Sequence, residues 1–270
     1  MELYATLEYI ITAPTVVEKI GRFEAFYPLY CQGVVTLNPM VALRVFDHPS
    51  YANFCTVIDP KTVTRRPKLG GIRGQIALLH SVAHIEYSAI DLALDAAYRF
   101  RDVGKAFIDD WLKVAEDEIR HFRMIEQLLI ECGSFYGQLR VHNGLFEASM
   151  QTLTFLERMA VVPRYLEANG LDATPLIVAK LSTLPPTPLI AKILDALHII
   201  VEEEVDHVLK GNHWFNVACA KENLPSECYF TIIEDHYPNS FPRKVPINCD
   251  ARRLAGFDPE ELKRIAFVAC

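Results

Sequence analysis

The chain contains no CxxC pair, and its seven cysteines (Cys31, Cys55, Cys132, Cys219, Cys228, Cys249 and Cys270) are scattered and odd in number. That pattern argues for reduced, structural thiols in a cytoplasm-like compartment, with Cys270 exposed and without a role. No apolar run approaches the ~20 residues that span a bilayer. MELYATLEYI lacks the basic-then-apolar opening of a signal peptide, so none is expected. Positive charge is also scarce: 27 Lys and Arg against 34 Asp and Glu leave a formal charge of −7. Nucleic-acid binding relies on neutralising phosphates, so this balance speaks against it. TVTRRPK (Arg65, Arg66, Lys68) and PRKVP are only local basic spots. Low-complexity segments are absent. What remains is globular material, 51% hydrophobic, long enough to bury a sizeable core.

Three segments follow from the pattern. Residues 1–73 read as an irregular N-terminal segment packed on the rest. PTVVEKIGRFEAF is a short helix there, and Val34–Leu37 a short extended piece, with Pro28, Pro39, Pro49, Pro60 and Pro67 breaking up the remainder. Residues 74–220 carry four long helical patterns: QIALLHSVAHIEYSAIDLALDAAYRF, KAFIDDWLKVAEDEIRHFRMIEQLLIECG capped by Gly133, a third from Gly144 to Ala168 ended by Asn169-Gly170, and TPLIAKILDALHIIVEEEVDHVLKGNHWFNVACAK. FYGQLRVHNG is a loop between the second and third. Residues 221–270 form a mixed extension ending in FDPEELKRIAFV, with Asp258 as N-cap, Pro259 at N1 and Glu261 at N3. The expected fold is all-α, a four-helix bundle with irregular extensions at both ends.

Two of the helices repeat one polar pair, Glu118 with His121 in DEIRHF and Glu204 with His207 in EEVDHV. Helical geometry puts these pairs on apolar stripes. Glu118 has Trp111, Val114, Ala115, Phe122 and Ile125 around it, and Glu204 has Leu197, Ile200, Val201 and Val208. Glu86 on the first helix is ringed by Leu79, Val82, Ala83, Ala89, Ile90 and Ala93. A carboxylate on a core face is costly unless it is paired or binds a metal. Two Glu-x-x-His helices and a lone Glu from each of two others make the ligand set of a dinuclear carboxylate site. A single ExxH is usually a surface pair, so the weight rests on the repetition. Glu203, one turn from His207 at the other spacing, is the alternative to Glu204.

The third helix must supply the fourth carboxylate. Periodicity favours Glu157, which has Met150, Leu153, Ala160 and Val161 around it. Glu167 shares its face with Arg164, and Pro163 kinks the helix nearby. Sequence order favours Glu167: 32 residues separate Glu86 from Glu118, 37 separate Glu167 from Glu204, and 47 separate Glu157 from Glu204.

HIEYSAIDLALD, WLKVAEDEIRHFRMI, YLEANGLDAT and EEEVDHV…HWF, in this order, closely resemble the ferritin-like family known as DUF455. YLEANGLD matches that family's LEARGLD phrase with Asn169 in place of Arg. The resemblance extends to the irregular N-terminal part and to DARRLAGF near the end. It implies a ferritin-like bundle, a metal pair, and Glu167 as the fourth acid, since family members commonly lack an acid at the position of Glu157. It supplies no substrate. The chain is more distantly similar to the ferritin-like tRNA hydroxylases, which carry a similar acid on the third helix.

The expected metal ligands are therefore Glu86, Glu118, His121, Glu167, Glu204 and His207, around two ions, iron first and manganese second. Four Glu neutralise two divalent ions, two neutral His complete the shell, and positions stay open for O₂ or substrate. Each His needs an outer acceptor for its other ring N–H; Asp117 and Asp206 are near in sequence, and no partner is assigned. His84, Asp91 and Asp95 form a separate stripe read as a structural network. His213, Trp214, Tyr87, Tyr98 and Tyr165 are read as packing. The functional expectation is an O₂-dependent oxidoreductase of the hydroxylase type. The alternative is a non-catalytic protein that binds metal or scavenges oxidants. Expected partners are O₂ or a small-molecule substrate, an electron-donor protein and a second copy in a homodimer, with neither nucleic acid nor membrane.

Overall fold

The computed structural model describes residues 1–38, 40, 42–62, 67–266 and 270, and among them the protein is all-helical. Extended pairing is confined to three isolated bridges, Glu2 with Thr36, Val57 with Val141 and Arg243 with Ala266. No helix among the described residues is long and apolar enough to cross a membrane. The chain divides into two compact units, Met1–Glu147 and Ala148–Cys270.

The first unit is built on two long helices, α3 (Ile72–Arg99) and α4 (Lys105–Glu131), which follow α1 (Leu3–Ile11) and α2 (Val16–Cys31). α3 and α4 pack along their apolar stripes, and α1 packs on both α2 and α3. The segment expected to be irregular thus opens with two capped helices. Glu2 accepts from Ala5 N–H to start α1, and Thr15 accepts from Glu18 N–H to start α2. α2 runs past Pro28 because that proline sits in the last turn, where it removes one bond and the helix is already ending. Gly133, with φ +70°, closes α4: Gly133 N–H donates to Ile130 and Ser134 N–H to Leu129.

The loop after α4 is held by two histidines of α3. His80 Nε2 accepts from Gly137 and Leu139 N–H at 3.0 and 3.2 Å. His84 lies between the Tyr136 hydroxyl and the His142 carbonyl, 2.9 Å from each. Asp91 pairs with Lys19, which is wholly buried, and accepts from Ser50; Asp95 pairs with Arg99. The stripe His84–Asp91–Asp95 is structural.

Short α5 (Gly144–Gln151) straddles the boundary between the units, and the second unit continues with α6 (Phe155–Val161), a π-turn (Val162–Glu167) and α7 (Ala168–Ser182). The expected single third helix is therefore broken at residues 152–154, and α7 passes straight through Asn169-Gly170. The break has a local cause. Thr154 and Glu157 form a capping box that starts a new helix, while Thr152 accepts from buried Arg158 Nε. The π-turn has one too: Pro163 has no N–H to donate back, and Ala168 N–H reaches five residues back to the Pro163 carbonyl.

α8 (Pro188–Glu222) is the longest helix, capped by Thr187 and ended by Asn223 in the left-handed region. α6, the π-turn and α7 all pack on it. α9 (Cys228–His236), α10 (Cys249–Leu254) and α11 (Pro259–Ile265) follow, α11 with the expected Asp258–Glu261 capping box. Arg164 is buried between the rings of Phe215, Tyr229 and Phe257 and is bonded to Asn212 and Glu261. Arg252 is clamped by Asp172 at 2.7 Å.

Cys249 and Cys270 form a disulfide, against the expectation of reduced thiols throughout and of a Cys270 without a role. The pairing depends on chain return: Arg243 N–H bonds to the Ile265 carbonyl, and the Cα atoms of the two cysteines come within 5.7 Å. Cysteine usage therefore no longer argues for a reducing compartment. Of the local basic spots, Arg65 and Arg66 lie outside the described residues. Arg243 of the other spot bonds to Asn169.

Candidate metal centre

α3 and α4 bring three donors together in the first unit. Glu86, Glu118 and His121 are 3, 0 and 0% exposed, and each offers a ligand atom within 4.8 Å of the others'. His121 Nδ1 stands 3.3 Å from Glu86 Oε2 and 3.6 Å from Glu118 Oε2. The surrounding stripe is the one the periodicity outlined: Leu79, Ala83, Ile90, Ala93, Trp111, Val114, Ala115, Phe122 and Ile125 are all buried. Burial by itself lowers the His121 pKa, but hydrogen bonding and charge from Glu118 and Glu86 outweigh it and raise the group to about 11. Two buried carboxylates thus hold a proton on one imidazole where a cation would fit. The two carboxylates stand close together beside one imidazole, where like charges repel. The donor set, two carboxylate oxygens and one imidazole nitrogen, could hold a metal ion.

The second unit holds the other half of the predicted set. On α8, His207 is buried with Nδ1 3.7 Å from Glu204 Oε2, the same pairing seen for Glu118 and His121. Glu203 is half-buried on the same turn. Glu167 closes the π-turn, half-buried as a residue but with its Oε2 fully covered. Glu157 is occupied otherwise: its Oε2 accepts from Thr154 N–H and Oγ1, both at 3.0 Å, as part of the helix cap. The periodicity that favoured Glu157 assumed an unbroken helix, and the break at Thr154 removes that assumption.

Asp117 and Asp206 have ion pairs of their own. Asp117 is gripped by Lys113 and Arg120 at 2.9 and 2.7 Å, and Asp206 pairs with Lys210 at the surface. The tyrosines have structural partners: Tyr98 bonds to Glu8, Tyr165 to Ser240, and Tyr87 packs against Phe54 and Phe122. Trp214 is buried with His213 against its edge. Sequence reasoning missed the buried Lys19–Asp91 pair and the contact between Pro163 and Gly211. For the first, a lysine within the apolar run of α2 was the available signal.

An uncharacterized protein of Haemophilus influenzae (strain ATCC 51907 / DSM 11121 / KW20 / Rd) is 40% identical over 214 residues, covering 76% of this chain and 72% of its own length. No solved structure matches the chain. Residues 12–263 match the family described as "Protein of unknown function (DUF455)", and the chain belongs to that family.

Proposed function

We propose that this protein is a ferritin-like dinuclear metal-carboxylate protein. Its activity is O₂-dependent oxidation of an organic substrate, of the hydroxylase type, with iron as the first metal and manganese as the second. The observation that carries the reading is the wholly buried Glu86–Glu118–His121 cluster. Joined in this reading by Glu167, Glu204 and His207, the set becomes four carboxylates and two imidazoles. That set balances two divalent charges, and its two Glu-x-x-His helices and two single-Glu helices are those of a di-metal four-helix bundle.

Glu86, Glu118, Glu167 and Glu204 supply oxygen, and His121 and His207 supply nitrogen. To accept a cation, His121 gives up the Nδ1 proton that Glu86 and Glu118 hold there, so metal uptake releases a proton. Trp111, Val114 and Phe122 keep the first unit's donors dry, which strengthens every charge interaction among them. When bound, a reduced metal pair supplies the electrons that activate O₂.

Elemental analysis of protein purified without added metal tests the reading, on wild type and on the Glu118→Ala/His121→Ala variant. About two iron or manganese ions per chain, lost in the variant, support it. No metal in the wild type, even after anaerobic loading with Fe²⁺, overturns it. Metal without O₂ consumption, in a closed cage of many copies, moves the protein to the storage and scavenging class.

A further inference from the structure

Gly211 lies one helical turn beyond His207 and two turns beyond Glu204, so all three share a face of α8. What that face meets at Gly211 is the π-turn. A Cβ placed on Gly211 would stand 2.3 Å from Pro163 Cβ and 2.6 Å from Pro163 Cγ, distances no side chain tolerates. Pro163 is the second residue of the π-turn, and Glu167 is its last. The proline ring therefore sits where any larger residue at 211 would be.

Two consequences follow for the donors. The seat fixes the height of the π-turn along α8, and with it the height of Glu167 relative to Glu204 and His207. The π geometry also sets the direction of Glu167. In an α-helix, residues three apart share a face, so Glu167 would follow Arg164. The wider turn separates them. Arg164 is buried in its aromatic box with Asn212 and Glu261, while Glu167 keeps Oε2 covered. π-bulges inside helices are found frequently at functional sites.

We propose that Pro163 and Gly211 are positioning residues for the second unit's donors: Pro163 makes the π-turn that aims Glu167, and Gly211 is the seat that sets it against Glu204 and His207. This rests on the metal-binding reading above and adds to it two residues that touch no metal. Gly170 supplies the control, since it also lies within a helix of the second unit and a Cβ there meets nothing within 4 Å.

The experiment loads wild type, Gly211→Ala, Pro163→Ala and Gly170→Ala with Co²⁺ and follows the visible absorption, which reports ligand number and geometry, through a titration. In the Gly211→Ala and Pro163→Ala variants, affinity at the weaker site is expected to fall by about 10–100-fold with a changed spectrum, the usual size of effect for residues that orient ligands. Gly170→Ala is expected to match the wild type. A folded Gly211→Ala or Pro163→Ala protein with wild-type affinity and spectrum overturns the proposal. Should Gly211→Ala fail to fold, Pro163→Ala, which adds no new bulk, decides alone. A wild type that binds no Co²⁺ overturns the metal reading instead, so the two failures are distinct.

Discussion

His121 Nδ1 lies 3.3 Å from Oε2 of Glu86, a residue of the neighbouring helix. The contact joins α3 to α4 through a charged pair at the level where both helices are otherwise apolar, and Glu118 makes it a trio. In the proposed reading, a core of this kind gives up stability for metal binding. Two carboxylates beside one imidazole repel each other in a dry interior, a cost that a bound cation would relieve.

That trade is measurable. Glu118→Gln keeps the volume and removes one of the two repelling charges. In the presence of a chelator, the variant should be at least as stable as wild type, by up to about 1–3 kcal/mol in urea unfolding. Its metal content should fall at the same time. A chelated Glu118→Gln protein markedly less stable than chelated wild type would mean that Glu118 is a structural partner of His121 and not a metal ligand.

How much of this was legible in the sequence can be judged from particular residues. Glu86, Glu118 and His121 were legible because α3 and α4 are long and uninterrupted, so spacing alone fixes which side chains share a face. The start of α6 was equally legible in principle. Thr154-x-x-Glu157 is a capping box, but apolar spacing continues across it, and the box reads as part of a longer helix until the break is seen. The Cys249–Cys270 bond and the Pro163–Gly211 seat were not legible, because both depend on chain segments that meet only after folding.

His80 predicts an acid-sensitive first unit. Burial lowers its pKa to about 4, and its Nε2 must stay unprotonated to accept from Gly137 and Leu139. The unfolded chain binds that proton at about pH 6.5. The unfolded state therefore holds more protons between pH 6.5 and 4, and stability is fully present above this window and lost as pH falls through it. The loss from His80 amounts to about 3 kcal/mol. His84, pushed down to a similar value chiefly by burial, adds its own share. His80→Gln keeps an acceptor without a titrating group. Its unfolding free energy should fall less steeply between pH 6.5 and 4.5 than that of wild type, and an identical slope would remove His80 from the account.

Lys19 and Asp91 should behave as a unit. Lys19 is wholly buried on α2, and its ammonium donates to Asp91 and to the Ile11 carbonyl. Lys19→Met leaves a buried carboxylate uncompensated and should cost about 3–5 kcal/mol, whereas Lys19→Met with Asp91→Leu should recover most of that loss. Urea unfolding of the two single variants and the double variant gives the coupling directly. Additive losses would show that the pair does not interact across α2 and α3.

The two acids of the broken third helix offer the sharpest separation of structure from function. Glu157 closes a capping box, with its own N–H donating to Thr154 Oγ1 at 3.1 Å and its carboxylate accepting in return. Glu157→Ala should therefore cost about 0.5–2 kcal/mol of stability, the usual worth of a cap. It should leave metal content unchanged. Glu167 ends the π-turn with its Oε2 covered, and its side chain makes no cap hydrogen bond to α7. Glu167→Ala should lower metal content, and Glu167→Gln, which keeps the volume, should lower it as well while the protein stays folded. Parallel elemental analysis and urea unfolding on these variants check both halves at once. If Glu157→Ala loses metal and Glu167→Ala keeps it, the fourth carboxylate belongs to α6 and not to the π-turn, and the positioning role of Pro163 and Gly211 falls with it.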